Sequence, residues 1–125
     1  MTEALRIAVP TEDEGGANAT RSMHFGHAAS FTLVDVADGA ITAVSVLENG
    51  PHDHGACGSI VDRLTAVGVG AVIAGGMGGG PRMGFASADI PVFFDAVSAT
   101  PQAAVEAYLA GEPEAFGDSH QCRGH

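Results

Sequence analysis

The chain predicts a mixed α/β sheet, with an antiparallel N-terminal part running into βα units and helices packed on the sheet. Three observations predict it. Two β-branched, apolar runs at 31–36 and 41–47 flank an Asp-Gly pair, the strongest short hairpin signal. Two shorter runs, at 71–74 and 91–94, are apolar almost throughout, as in strands buried on both faces. Segments with helical apolar spacing or helix-start residues alternate with them.

Taken in order, residues 5–10 (Leu-Arg-Ile-Ala-Val-Pro) read as a first strand, and the polar, glycine-rich residues 11–22 as a loop. The hairpin follows, turning at Asp38-Gly39. Residues 48–58 form a second loop ahead of a helix, with Ser59 as its cap and Asp62 completing a variant capping box. Ile60, Val61, Leu64 and Val67 give that helix its apolar face, and Gly68 is its stop signal. The strand at 71–74 runs into Gly75-Gly76-Met77-Gly78-Gly79-Gly80-Pro81. Residues 82–88 are expected to be a short helix with Pro81 at its first position, weakened by Gly84. After the strand at 91–94, Thr100 is an N-cap, Pro101 the first helical residue and Gly111 the terminator of a last helix. Ala104, Val105, Tyr108 and Leu109 form its apolar face. Residues 112–125 show no apolar period and read as a tail. The expected division is a single domain over 1–117 and a mobile tail over 118–125.

A length of 125 residues suits one domain with a real core. The formal net charge is -10, and the five basic residues are all arginine. That balance argues against nucleic acid and anionic membranes, which select basic patches. No apolar run approaches the roughly 20 residues that span a bilayer, and residues 1–6 lack signal-peptide character, so a cytoplasmic location is expected. In that compartment the two cysteines are read as ligands or free thiols before a disulfide.

All six histidines and both cysteines fall in three short, turn-rich segments. The first holds His24 and His27, the second His52, His54 and Cys57, and the third His120, Cys122 and His125. Imidazole and thiolate bind borderline and soft metals. Loops on a rigid scaffold carry function, so this distribution points to a metal or metal-cluster site. Cys57 lies near an expected helix start, which favours its thiolate. The glycine-rich run at 75–80 sits at the C-terminal end of a buried strand, where ligands bind in open α/β sheets. Its backbone N–H groups could form an anion-binding nest. It is neither a P-loop, since no Lys-Ser/Thr follows it, nor a clean dinucleotide fingerprint. A plain strand-to-helix turn is the competing reading. No nucleophile–base pair or paired carboxylates stand out, which leaves an enzymatic reading little to work with.

With these elements placed, the chain resembles the dinitrogenase iron–molybdenum cofactor biosynthesis family, the NifX-type proteins and the C-terminal domain of NifB-type proteins. The resemblance is carried by Ile7-Ala8-Val9-Pro10, His24-Phe25-Gly26-His27-Ala28 with Phe31, Val34-Asp35-Val36 and Glu48-Asn49. It continues through Val72-Ile73-Ala74-Gly75-Gly76-Met77-Gly78 and Val105-Glu106-Ala107-Tyr108-Leu109-Ala110-Gly111-Glu112. It implies a ribonuclease H-like fold and an iron–sulfur or molybdenum–iron–sulfur cluster as ligand, with nitrogen fixation as one setting. His24 is the position matched to a cluster-contacting histidine. Two departures stand out: the glycine-rich stretch 79–84, and a short tail with isolated ligands.

The expectation is therefore a non-enzymatic cluster carrier. His24, His27, His52, His54, Cys57 and Cys122 are its candidate metal contacts, with Gly75, Gly76, Met77 and Gly78 against the cluster. The alternative is a mononuclear zinc or copper protein using the same loops. Donor and acceptor proteins of cofactor assembly are the expected partners, and the chain is expected to be a monomer or weak homodimer. Ribonuclease H-like nucleases carry a catalytic carboxylate on the first strand, and residues 5–10 contain none.

Overall fold

A computed structural model describes residues 4–12, 16, 18–22, 28–48, 56–75, 79–95, 98–111 and 114–115, with backbone alone at 48, 56–60, 79–82 and 114–115. The elements are β1 (Leu5–Thr11), β2 (Ser30–Ala37), β3 (Ala40–Glu48), α1 (Ala56–Ala66), β4 (Ala71–Ala74), α2 (Gly79–Ser87), β5 (Val92–Phe94), α3 (Pro101–Leu109) and β6 (Glu114–Ala115). They build one six-stranded sheet in the order β3-β2-β1-β4-β5-β6. β1 pairs antiparallel with β2 and parallel with β4, β5 runs parallel to β4, and β3 and β6 close the two edges antiparallel. The mixed α/β architecture expected from the sequence is present.

The hairpin turns where Asp-Gly predicts. Asp38 and Gly39 both have positive φ (55° and 74°), the two-residue turn whose twist matches the flanking strands. Thr42 is an extra residue on β3, because Val36 faces Ile41 while Asp35 faces Ala43.

The sheet buries two faces. On one, Ala8, Phe31, Leu33 and Val72 pack with Val61 and Leu64 of α1 and Phe85 of α2. On the other, Ile7, Val9, Val34 and Ile73 pack with Ala104 and Val105 of α3. Alternation along β1 feeds both faces, since successive side chains point opposite ways. Gly84 permits the close approach of α2 to α1: a Cβ there would stand 2.9 Å from Val61 Cγ2. The residue that weakens the helix by propensity is thus the one its packing requires.

Helix ends are set locally. Gly68 (φ 82°) stops α1, with its N–H on Thr65 O and the Val69 N–H on Leu64 O, a double hydrogen bond that satisfies two orphan carbonyls. Asp89 (φ 60°) does the same for α2. Thr100 caps α3 by accepting from the Ala103 N–H at 3.1 Å, with Pro101 next, as the sequence predicts.

Three expectations need correction. α1 begins at Ala56, so Ser59 is its fourth residue and not its cap; Ala56 is the strongest kind of helix former, and 56–59 contains no proline. α2 starts at Gly79, two residues before Pro81, because proline is tolerated in a first turn whose N–H groups have no helical partner. Within the stretch read as a tail, Glu114 and Ala115 pair with Phe94 and Phe93 of β5. Two backbone-paired residues need no apolar period, so periodicity does not reveal them.

Candidate functional site

The described anchors of residues 23–27, 49–55 and 76–78 meet at one end of the sheet, the C-terminal end of β1 and β4. Ser22 and Ala28, which flank residues 23–27, both lie there. The Ser22 N–H donates to Pro10 O at 2.9 Å, and the Ala29 N–H to Thr11 O at 3.0 Å. Thr11 faces Ser30 across β1–β2, and Ser30 faces Glu48, so residues 49–55 leave from the same level before α1 begins. β4 runs parallel to β1 with Ala8 beside Val72, which brings Ala74 and Gly75 to that end too. The crevice at the carboxyl ends of parallel strands is where open α/β sheets place ligands.

This end is built on buried polar groups. The Thr11 hydroxyl lies 2.7 Å from the Ser30 hydroxyl and 3.2 Å from that of Thr32, and all three residues are fully buried. The Gly16 N–H donates to Thr32 Oγ1 at 2.9 Å, tying the loop after β1 onto the cluster. Arg21 bridges Thr11 and buries its side chain, which is 1% exposed. Its guanidinium donates to Asp95 O at 2.6 Å and Ser98 O at 3.0 Å, and meets Asp95 Oδ1 at 3.5 Å. The Asp95 carboxylate in turn accepts from the Ser98 N–H (2.9 Å) and hydroxyl (2.7 Å). Arg21 therefore clamps the root of the His24 segment to the connection between β5 and α3. Burial pushes its pKa down, and the neighbouring Asp95 opposes that shift.

Of the predicted site residues, Gly75 is described, half-buried just after β4. Cys57 is the second residue of α1, closer to the helix's positive end than the Ser59 cap implied. His24, His27, His52, His54, Gly76, Met77, Gly78 and Cys122 lie outside the described residues, as do His120 and His125. Among the described residues no three His, Cys, Asp or Glu side chains gather into a metal site. A groove of about 340 Å³ between α3 and β3, lined by Val34, Ile41, Val44, Gln102, Glu106 and Leu109, stands beside the hairpin at the opposite end of the sheet. It is not the candidate site. Arg21 and Asp95 escape a reading built on metal ligands. The available signal was Arg21 itself, one of five cations in the chain and two residues ahead of Met23.

The sequence profile described as "Dinitrogenase iron-molybdenum cofactor" matches residues 3–111. The chain belongs to the dinitrogenase iron-molybdenum cofactor family. That span runs from β1 through α3 and includes the first two His/Cys segments and the glycine loop. Among solved structures, the apo form of the orange protein from Desulfovibrio gigas is similar at 28% identity and TM-score 0.79, over 93% of this chain and 96% of that one. PH0822 is similar at 25% identity and TM-score 0.76, over 91% and 98%. A candidate NifB protein from Thermotoga is similar at 25% identity and TM-score 0.72, over 89% and 92%. No curated protein sequence matches the chain. No helix among the described residues is long and apolar enough to cross a membrane.

Proposed function

We propose that this protein is a carrier for an iron–sulfur or molybdenum–iron–sulfur cluster, which it holds as cargo at the C-terminal end of β1 and β4 and hands on without catalysis. One observation carries the reading. Segments 23–27, 49–55 and 76–78, which concentrate histidine and glycine, are all anchored at this one end of the sheet, where α1 also starts with Cys57. Membership of the iron-molybdenum cofactor family supports it. So does the strand order, with β1–β3 antiparallel and β4 and β5 parallel to β1, which is compatible with the ribonuclease H-like fold that the resemblance implies. β1 carries no carboxylate, which sets the protein apart from nucleases of that fold.

In this reading His24, His27, His52, His54 and Cys57 supply imidazole and thiolate contacts. The start of α1 favours the Cys57 thiolate. Backbone N–H groups of residues 75–78 donate to the cluster's sulfides, with Met77 covering them and Cys122 as a further thiolate. Donor and acceptor proteins of cofactor assembly in the cytoplasm are the partners, and nitrogen fixation is one setting. A second reading, one zinc or copper ion, is favoured by the compact His52-x-His54-x-x-Cys57 donor set.

Anaerobic reconstitution with ferrous iron and sulfide separates the two. The expected product contains iron and acid-labile sulfide and absorbs visible light. Cys57→Ser should keep the apo protein's thermal unfolding and weaken retention of iron at least tenfold. Stoichiometric zinc or copper without sulfide would overturn the carrier reading in favour of the mononuclear one.

A further inference from the structure

The two edges of the sheet are unequal. β6 is two residues long, whereas β3 is nine, and among the described residues no strand pairs with its outer side. Natural edge strands are guarded by lysine, proline or inward charges. Residues 40–47 of β3 (Ala-Ile-Thr-Ala-Val-Ser-Val-Leu) contain none of these. The guard that is present is the bulge at Thr42, whose hydroxyl donates to Asp35 O at 3.1 Å; it leaves residues 43–48 in regular register. Val44 and Val46 are 42% and 40% exposed, two of the three exposed large hydrophobic residues among those described. Both stand on the α3 face, opposite Val34 and Thr32, where α3 stops short of covering them.

We propose that β3 is a docking edge for a second copy of this chain, joined antiparallel to its own β3 about a two-fold axis at Ser45. The register of the strand carries this. A two-fold at Ser45 sets Val44 of each chain against Val46 of the other, and Ala43 against Leu47. The exposed valines then meet as two cross-strand β-branched pairs, the favoured kind. No charge opposes a like charge, because Glu48 falls opposite Thr42. The occupant is thus specified by self-complementarity, as a closed two-fold interface requires. Only five residues on each side pair fully, and each chain brings a net charge of -10. The dimer is accordingly weak, and salt that screens the mutual repulsion strengthens it. The site at the C-terminal end of β1 plays no part in this pairing.

Sedimentation equilibrium of the full chain, with amide exchange read at several concentrations, tests it. The expected result is a concentration-dependent dimer that tightens between about 50 and 500 mM sodium chloride, as the screening length falls from roughly 14 to roughly 4 Å. Protection from exchange should rise with concentration at alternate residues within 43–47, those whose N–H points away from β2. Val44→Lys with Val46→Lys sets lysines directly opposite one another and should raise the dissociation constant at least tenfold. Met83→Lys, at an exposed residue of α2, should leave it unchanged. A chain that stays monomeric at every concentration, or a dimer indifferent to the double lysine variant, would overturn the proposal. Should the double variant fail to fold, exchange on the wild-type chain decides alone: protection at residues 43–47 that does not change with concentration overturns the pairing.

Discussion

Two arginine–aspartate pairs sit at opposite ends of β1, and they do different work. At its start, Arg6 grips Asp35 of β2 with two hydrogen bonds (2.7 and 3.1 Å) and donates to Val67 O, just past the end of α1, at 2.7 Å. That pair is open to water, with side chains 36% and 24% exposed. Past its end, Arg21 and Asp95 are 1% and 8% exposed, and the shortest bonds of Arg21 go to main-chain carbonyls. The hydrogen bond and then the charge of Asp35 raise the Arg6 pKa, while burial lowers that of Arg21. The exposed pair trims the surface of a finished sheet. The buried pair fastens two connections that the sheet itself does not hold together, and it does so beside the candidate site.

The largest effect should come from breaking the buried pair. Arg21→Met removes the buried cation beside the Asp95 carboxylate and should cost about 3–5 kcal/mol in urea unfolding. Adding Asp95→Asn should cost less than the sum of the two single changes, since the two groups form one ion pair. A loss below about 1 kcal/mol for Arg21→Met would erase the distinction between the two ends. A smaller effect is expected at the exposed pair. Asp35→Asn should cost about 0.2–1 kcal/mol in low salt and less in 1 M sodium chloride, whereas the Arg21→Met loss should be nearly insensitive to salt.

The smallest effect is one of pH. The hydrogen bond from Arg6 holds the Asp35 carboxyl below its ordinary range. The folded pKa being depressed, its contribution is fully present above the ordinary carboxylate value and is lost as pH falls through the folded one. The stability gap between wild type and Asp35→Asn, followed by thermal unfolding from pH 7 to pH 3, should therefore close on the acid side. A gap that widened there would reverse the assignment.

The sequence shows the frame well because its signals are local. Asp38-Gly39, Gly68, and Thr100-Pro101 with Gly111 each fix a turn or helix end from a few adjacent residues, and the structure places them where expected. It misplaces the starts of α1 and α2 because a permissive first turn leaves little trace in the residue pattern. It overlooks the Arg21–Asp95 clamp because the partners are 74 positions apart and neither is a metal ligand type in a ligand-rich segment. For the candidate site, the sequence offers histidine- and glycine-rich segments, and the fold supplies the common sheet end from which residues 23–27, 49–55 and 76–78 depart. Gly84 shows the reverse case, a poor helix residue whose reason lies wholly in the neighbouring helix.

The double allegiance of β1 also orders events in time. β1, β2 and β3 are successive in the chain and can form as a meander, closed by residues 12–29 and by the tight turn at Asp38-Gly39, while β4 must return across α1 to set Ala71 beside Ile7. Such long-range parallel pairing is slow to form. Residues 23–27 belong to the early meander and residues 76–78 to the late βα half, with 49–55 leading from one to the other. On the proposed carrier reading, a nascent chain holds His24 and His27 before the glycine loop has arrived, and a cluster would be loaded only once β4 has docked.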